Sequence, residues 1–169
     1  MELAIYPSDY LVSMNKKIEA YTPEVAAKVA EMWPVMESAD GVGLAAPQVG
    51  WNVQLFIMGI PDSAGETVRR AVWNPTIKTF GDQVPMMEGC LSFPRIRAEI
   101  KRWTHARLTG QTVDGPIDEV LAGLAAQAAQ HEMDHLDGIL FIERMTPADR
   151  LKNEPLIRAL AETTLKKKK

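Results

Sequence analysis

Cysteine is nearly absent from this chain: Cys90 stands alone among 169 residues. A lone thiol cannot close an internal disulfide, so the fold needs no oxidising compartment. Long hydrophobic runs are missing as well, and no stretch approaches the ~20 apolar residues of a membrane-spanning helix. The opening residues, Met1-Glu2-Leu3-Ala4-Ile5-Tyr6-Pro7, lack both a positive leader and an apolar core, so neither a signal nor a transit peptide is expected. Nor is positive charge in excess. The formal net charge of -3 provides no basic field for DNA, with the Lys166–Lys169 run as a local exception. What remains is a cytoplasmic protein, expected to be a monomer, with no DNA and no membrane as partner.

The rest of the composition is that of a globular domain. Hydrophobic residues make up 46% and charged residues 24%, which excludes disorder, and the length suits one domain over residues 1–169. Residues 1–21 show no regular pattern. Thr22-Pro23 reads as an N-cap followed by the first helical residue. Val25, Val29, Met32, Val35 and Met36 then recur at helical spacing to about Ala39. Pro34 should kink or split that helix, and Asp40-Gly41 should end it. Val53–Ile60 is apolar and of strand length. Ala71–Val72, Ile77–Phe80 and Ile96–Leu108 include further β-like stretches, and Asp114-Gly115 is the corner of a tight hairpin. From about Glu119 the pattern returns to helix, with Leu121, Leu124, Ala125, Ala128 and Ala129 on one face and Gly138 as a C-terminal cap. Ile139–Ile142 reads as a short strand and Leu151 to about Leu165 as a last helix. Lys166–Lys169 reads as a flexible, solvated tail, with a foothold on ribosomal RNA as the alternative. The predicted class is α+β: a mostly antiparallel sheet packed around a central helix, with an N-terminal and a C-terminal helix.

That central helix carries chemistry. His131 and His135 are four residues apart, about 400° of helical turn, so both imidazoles lie on one face about a turn apart and can reach one metal ion. Glu132 sits beside the first ligand, where a carboxylate can take a proton from a metal-activated water. The bland reading is an exposed charged turn, with Asp134 and Asp137 nearby. The Ala-rich, apolar turn that precedes it argues for burial instead.

A catalytic site needs a third protein ligand and an open fourth position. One metalloprotease pattern continues to a glycine and then a histidine. Gly138 fits the first position, but Phe141 stands at the second. Glu154 and Glu162 stay open as ligands from a later helix. So does Cys90, in the run Glu88-Gly89-Cys90-Leu91-Ser92-Phe93-Pro94. A lone cysteine is usually a small buried hydrophobe. This one lies on a Gly/Pro-bounded turn, where ligands converge, and Gly89 lets the backbone approach closely.

Three segments together resemble the peptide deformylase family. They are Gly41-Val42-Gly43-Leu44-Ala45-Ala46-Pro47-Gln48, Glu88-Gly89-Cys90-Leu91-Ser92, and Gln130-His131-Glu132-Met133-Asp134-His135-Leu136-Asp137-Gly138. The resemblance spans roughly residues 20 to 145, and three motifs in order are far more specific than one. It implies that Cys90, His131 and His135 bind one divalent ion, natively iron(II), with zinc, nickel or cobalt as substitutes. It implies a water in the fourth position that attacks the formyl carbonyl, with Glu132 as general acid/base. Gln48 and the Leu91 N–H are implied as oxyanion donors. The substrate would be the N-formylmethionyl end of nascent proteins, and formate the product. Gly43 would bracket the substrate backbone, while Leu44, Leu91 and residues on the metal-bearing helix would line a methionine pocket. Transient contact with the ribosome fits such a task. The softness of a Cys/His2 set by itself suits zinc.

The thiolate has a consequence. Two neutral imidazoles and one thiolate leave a divalent ion at net +1, against +2 for three imidazoles. The bound water is then less acidified, and Glu132 matters more. The early region departs from the family, with Tyr10-Leu11-Val12-Ser13 where a Leu-Arg pair is common. Phe93-Pro94-Arg95-Ile96-Arg97 is unusually basic. It reads as a solvated strand end, or alternatively as a preference for acidic residues downstream of the methionine. His105 reads as an ordinary strand residue. Two rivals remain: a zinc endopeptidase using the same helix, and a structural or binding module that retains the metal site.

Overall fold

The computed structural model describes residues 1–62 and 64–167. Thr22 caps the first helix, α1 (Pro23–Ser38), through its side chain and the Val25 N–H. The helix runs through Pro34 as one element, so the expected split does not occur. Val29, Met32 and Met36 are buried along it, and that packing outweighs one lost backbone bond. Asp40, at φ 54, and the Gly41 N–H on the Met36 carbonyl close its end.

Five antiparallel strands follow in sequential spatial order: β1 (Gly43–Ala45), β2 (Leu55–Pro61), β3 (Thr67–Cys90), β4 (Phe93–Thr112) and β5 (Gly115–Ala122). The three short β-like stretches expected between residues 71 and 108 belong to just two long strands, bent at register shifts between Trp73/Thr76, Phe80/Gln83 and Gly89/Cys90. The Asp114-Gly115 corner joins β4 to β5 as expected, with Thr112 opposite Gly115. His105 lies within β4, stacked on Phe80.

The second helix, α2 (Gly123–Leu136), starts later than its apolar spacing predicted. Glu119–Ala122 continue the ladder on β4 as far as Ala122 opposite His105. Burial along β5 alternates, with Leu121 inward and Val120 out, and Gly123 turns the chain at φ 54. The ladder therefore overrides a helical pattern that Leu121 had joined by coincidence of spacing. Gly138, at φ 70, terminates α2 as expected. The short strand expected at Ile139–Ile142 is instead a 3-10 turn at Phe141–Glu143. Phe141 and Ile142 are both buried, and the Glu143 carboxylate accepts the Leu140 N–H, which favours a turn over an alternating strand. The last helix, α3 (Pro147–Lys167), runs two residues past the expected end near Leu165 and takes in Lys166 and Lys167. Lys168 and Lys169, the rest of the predicted tail, lie outside the described residues.

The core has three parts. Ala126, Ala128 and Ala129 of α2 pack on Phe56, Met58, Ala106 and Leu108 of the sheet. Met32 and Met36 of α1 pack on Leu44, Leu55 and Ile57. Phe93, Ile100, Phe141 and Ile157 fill the third cluster beneath α3. Helix α2 touches all five strands and so sits at the centre. The first residues are ordered by pairing: Ala4 N–H donates to the Gln48 carbonyl, and Tyr6 N–H to that of Ser92.

Candidate metal centre

Cys90 ends β3 at the turn into β4, while His131 and His135 lie on the buried face of α2. Their ligand atoms all lie within 4.8 Å of one another. Cys90 Sγ is 3.2 Å from His135 Nε2. His131 Nδ1 is 3.0 Å from Glu88 Oε2, which leaves Nε2 as its ligand nitrogen. Glu154 and Glu162 are on α3 and take no part in this cluster.

Glu132 follows His131 on the helix, lines the same cleft and meets β1. A Cβ on Gly43 would lie 2.3 Å from Glu132 Oε1, so any side chain there would displace that carboxylate. Glu132 is 3% exposed, and its Oε2 has no protein partner among the described residues. A buried polar atom left free in this way is open to a ligand or a water. Burial pushes its carboxyl up to about 7, although the charge on His131 opposes the rise. Burial drives His135 well below the ordinary imidazole range. On His131 burial acts in the same direction, but the hydrogen bonds to Cys90 and Glu88 outweigh it and favour its charged form. A thiolate and two imidazoles, with an unpartnered carboxylate oxygen beside them, form a donor set that fits a divalent transition metal.

Gln48 reaches the same centre from the 3-10 turn Ala46–Val49. Its Oε1 accepts the Ala45 N–H at 2.9 Å, which turns the amide NH2 toward Cys90 Sγ, 3.5 Å away, and Ser92 Oγ, 3.2 Å away. The donor is thus oriented before any substrate arrives. Leu91 follows Cys90 directly and is partly exposed at the cleft. That cleft has a volume of about 660 Å³, with β1 on one side, the Met87–Arg97 turn on the other, and α2 as its floor. Gly43, Gln48, Leu91, His131 and Glu132 all line it. The Leu44 side chain does not: it points to the opposite face of β1 and is fully buried against α1 and β2, which corrects its expected place in the methionine pocket. Leu124 and Ala128, on the metal-bearing helix expected there, line the cleft together with Met87.

A network that the motifs did not signal supports the floor. Arg102 clasps Glu88 with two bonds of 2.7 and 3.0 Å and reaches Asp134 at 2.7 Å. Asp134 also accepts Arg144 Nε at 3.0 Å. Burial alone would raise the Glu88 carboxyl, but the bonds from His131 and Arg102 hold it at about 2. Gln130 completes the clamp, bonding both the N–H and the carbonyl of Trp103. Glu88, Gln130 and Asp134 lie inside the motifs, which gave no hint of their partners. Arg102 and Arg144 carry no recognisable spacing relative to the ligands.

A sequence model of polypeptide deformylases matches residues 1–151. The chain belongs to that family. Peptide deformylase 1 of Corynebacterium glutamicum is 38% identical over 164 residues, covering 95% of each chain. Chloroplastic peptide deformylase 1B of Solanum lycopersicum is 37% identical over 148 residues, or 86% of this chain and 53% of the relative. The chain thus spans about half the length of the plant deformylases it matches. The crystal structure of peptide deformylase 1B from Arabidopsis thaliana in complex with an inhibitor has the same fold, with a TM-score of 0.90 at 38% identity over 99% of this chain and 93% of that one. No helix among the described residues is long and apolar enough to cross a membrane.

Proposed function

We propose that this deformylase-family protein is the metal-dependent hydrolase that removes the N-formyl group from N-formylmethionyl ends of nascent proteins, releasing formate. One observation carries the reading: Cys90, His131 and His135 converge within 4.8 Å, and Cys90 and His131 line a cleft together with Glu132. An ion bound there would act as a Lewis acid on the water and on the formyl oxygen. Glu132 accepts the proton of the attacking water and returns it to the leaving amine; its carboxyl, raised by burial, is matched to that exchange near neutrality. Gln48 Nε2 and the Leu91 N–H face the charge that develops on the formyl oxygen. The free edge of β1 at Gly43 and Leu44 pairs with the substrate main chain as an added strand, and the methionine side chain lies among Leu91, Leu124 and Ala128.

Iron(II) is the native ion in this reading, with zinc, nickel or cobalt as working substitutes. Residues 1–169 act as one catalytic unit, a cytoplasmic monomer that meets its substrate at the ribosome, where the basic end of α3 at Lys166 and Lys167 gives a point of contact. Formate release from a formyl-Met tripeptide, run beside an internal peptide and paired with metal analysis of anaerobically prepared protein, tests the proposal. Formate with no internal cleavage is the expected outcome. Internal cleavage instead would make the protein an endopeptidase, and neither activity from metal-loaded protein would leave a binding module.

A further inference from the structure

The rim of the cleft carries charge that the chemistry above does not use. Arg95 and Arg97 line it, and both are exposed. Neither forms an ion pair among the described residues, whereas Arg102, further along the same strand, is held by two carboxylates. The ladder passes from Cys90 opposite Phe93 to Gly89 opposite Arg97, so Pro94, Arg95 and Ile96 bulge out with Arg95 at the middle. Arg95 is held at φ 66, a region that non-glycine residues seldom occupy. Arg97 lies across from Gly89: a Cβ there would be 3.6 Å from Arg97 Cγ and 3.7 Å from its Nε. With no side chain on Gly89, the Arg97 stem rests beside the Cys90 turn.

Charge on the rest of the rim is sparse. Asp40 is exposed on the facing side, while Glu88 and Glu132 are buried below, Glu88 in full ion pairs. Glu99, the next outward residue of β4, pairs with neither arginine and does not line the cleft. Two guanidinium forks without partners suit carboxylates, which they can grip with paired hydrogen bonds.

We propose that Arg95 and Arg97 select peptides that carry an acidic side chain within the first few residues after the formylated one. This rests on the deformylase reading, since it places the scissile amide over the ligand cluster and leads the peptide out over this rim. Exposed pairs are weak, so the preference is about two- to fivefold in kcat/KM. It lies in KM more than in kcat, because the contact is remote from the reacting atoms.

The test uses C-terminally amidated formyl-Met peptides with Glu, Gln or Lys placed in turn at the second, third and fourth residues. The amide removes the terminal carboxylate as a rival anion. At low salt the order at one position or more is Glu, then Gln, then Lys. Near 1 M salt the order flattens, since screening falls to about 3 Å. In the doubly substituted Arg95→Gln, Arg97→Gln protein the Glu-to-Gln ratio falls to about one, while Asp40→Asn widens it. Equal rates for the three peptides at low salt overturn the inference, as does a ratio that survives in the double variant. The salt titration needs no variant, so a misfolded substitution does not shield the idea. Formate from every peptide at equal rates removes only the selectivity, whereas formate from none removes the deformylase reading beneath it.

Discussion

The floor of the cleft and its rim hold charge in opposite ways. In the floor, Glu88, Arg102, Asp134 and His131 are buried and each is partnered, with Arg102 shared by two carboxylates. On the rim, Arg95, Arg97 and Asp40 are exposed and make no ion pairs among the described residues. Charge taken out of water is costly and persists only with partners of good geometry. Charge left in water costs little and contributes little, so it can be exchanged without harm to the fold. The floor sets where the ligands stand, and the rim is free to set what the cleft prefers.

The comparison can be broken at several points. The sharpest is Glu132→Gln, which keeps shape and burial but removes the proposed proton acceptor. Turnover should fall by about 10²- to 10⁴-fold with metal content and thermal stability maintained. Near-normal turnover in metal-replete protein would take Glu132 out of the reaction. Arg102→Met comes next. It strips buried Glu88 of its guanidinium and leaves Asp134 with Arg144 alone, and should cost about 3–5 kcal/mol in urea unfolding. A loss below about 1 kcal/mol would make the floor no different from the rim. Glu88→Gln should weaken metal binding about ten- to a hundredfold in competition with a chelator, because the carboxylate behind His131 orients that ligand and raises its basicity. Unchanged affinity would mean that His131 is positioned by α2 alone. Arg95→Gln should move stability by no more than about 0.5 kcal/mol. A larger loss would show that the rim is structural after all.

Much of the site was legible because its pieces are local. His131, Glu132 and His135 lie within five residues, and Gly138 marks the end of their helix. The Thr22-Pro23 entry and the Asp114-Gly115 corner are equally local, and both are found where expected. What was not legible depends on partners far away in sequence. Glu119–Ala122 extend because β4 lies alongside to be paired, a fact that spacing within the segment cannot express. Leu44 turns its back on the cleft because α1 and β2 offer it an apolar seat. Arg102 is 14 residues from Glu88 and 32 from Asp134, so nothing near it announces either contact. Pro34 stays inside α1 because burial around it outweighs the bond it lacks.

The contact of α2 with every strand has a further consequence, for folding. The side chains at the centre come from three separate stretches, 43–48, 88–92 and 131–135, and the last two are joined through β4 and β5. The three ligands lie within 88–135, but the complete site also needs Gly43 and Gln48 from 43–48, so a competent site appears only when β1 has joined the sheet through β2 and β3. An ion that binds the folded chain alone then draws the whole population toward it by mass action. Metal uptake would be a reporter of complete folding, and a chelator would act as a denaturant from a distance.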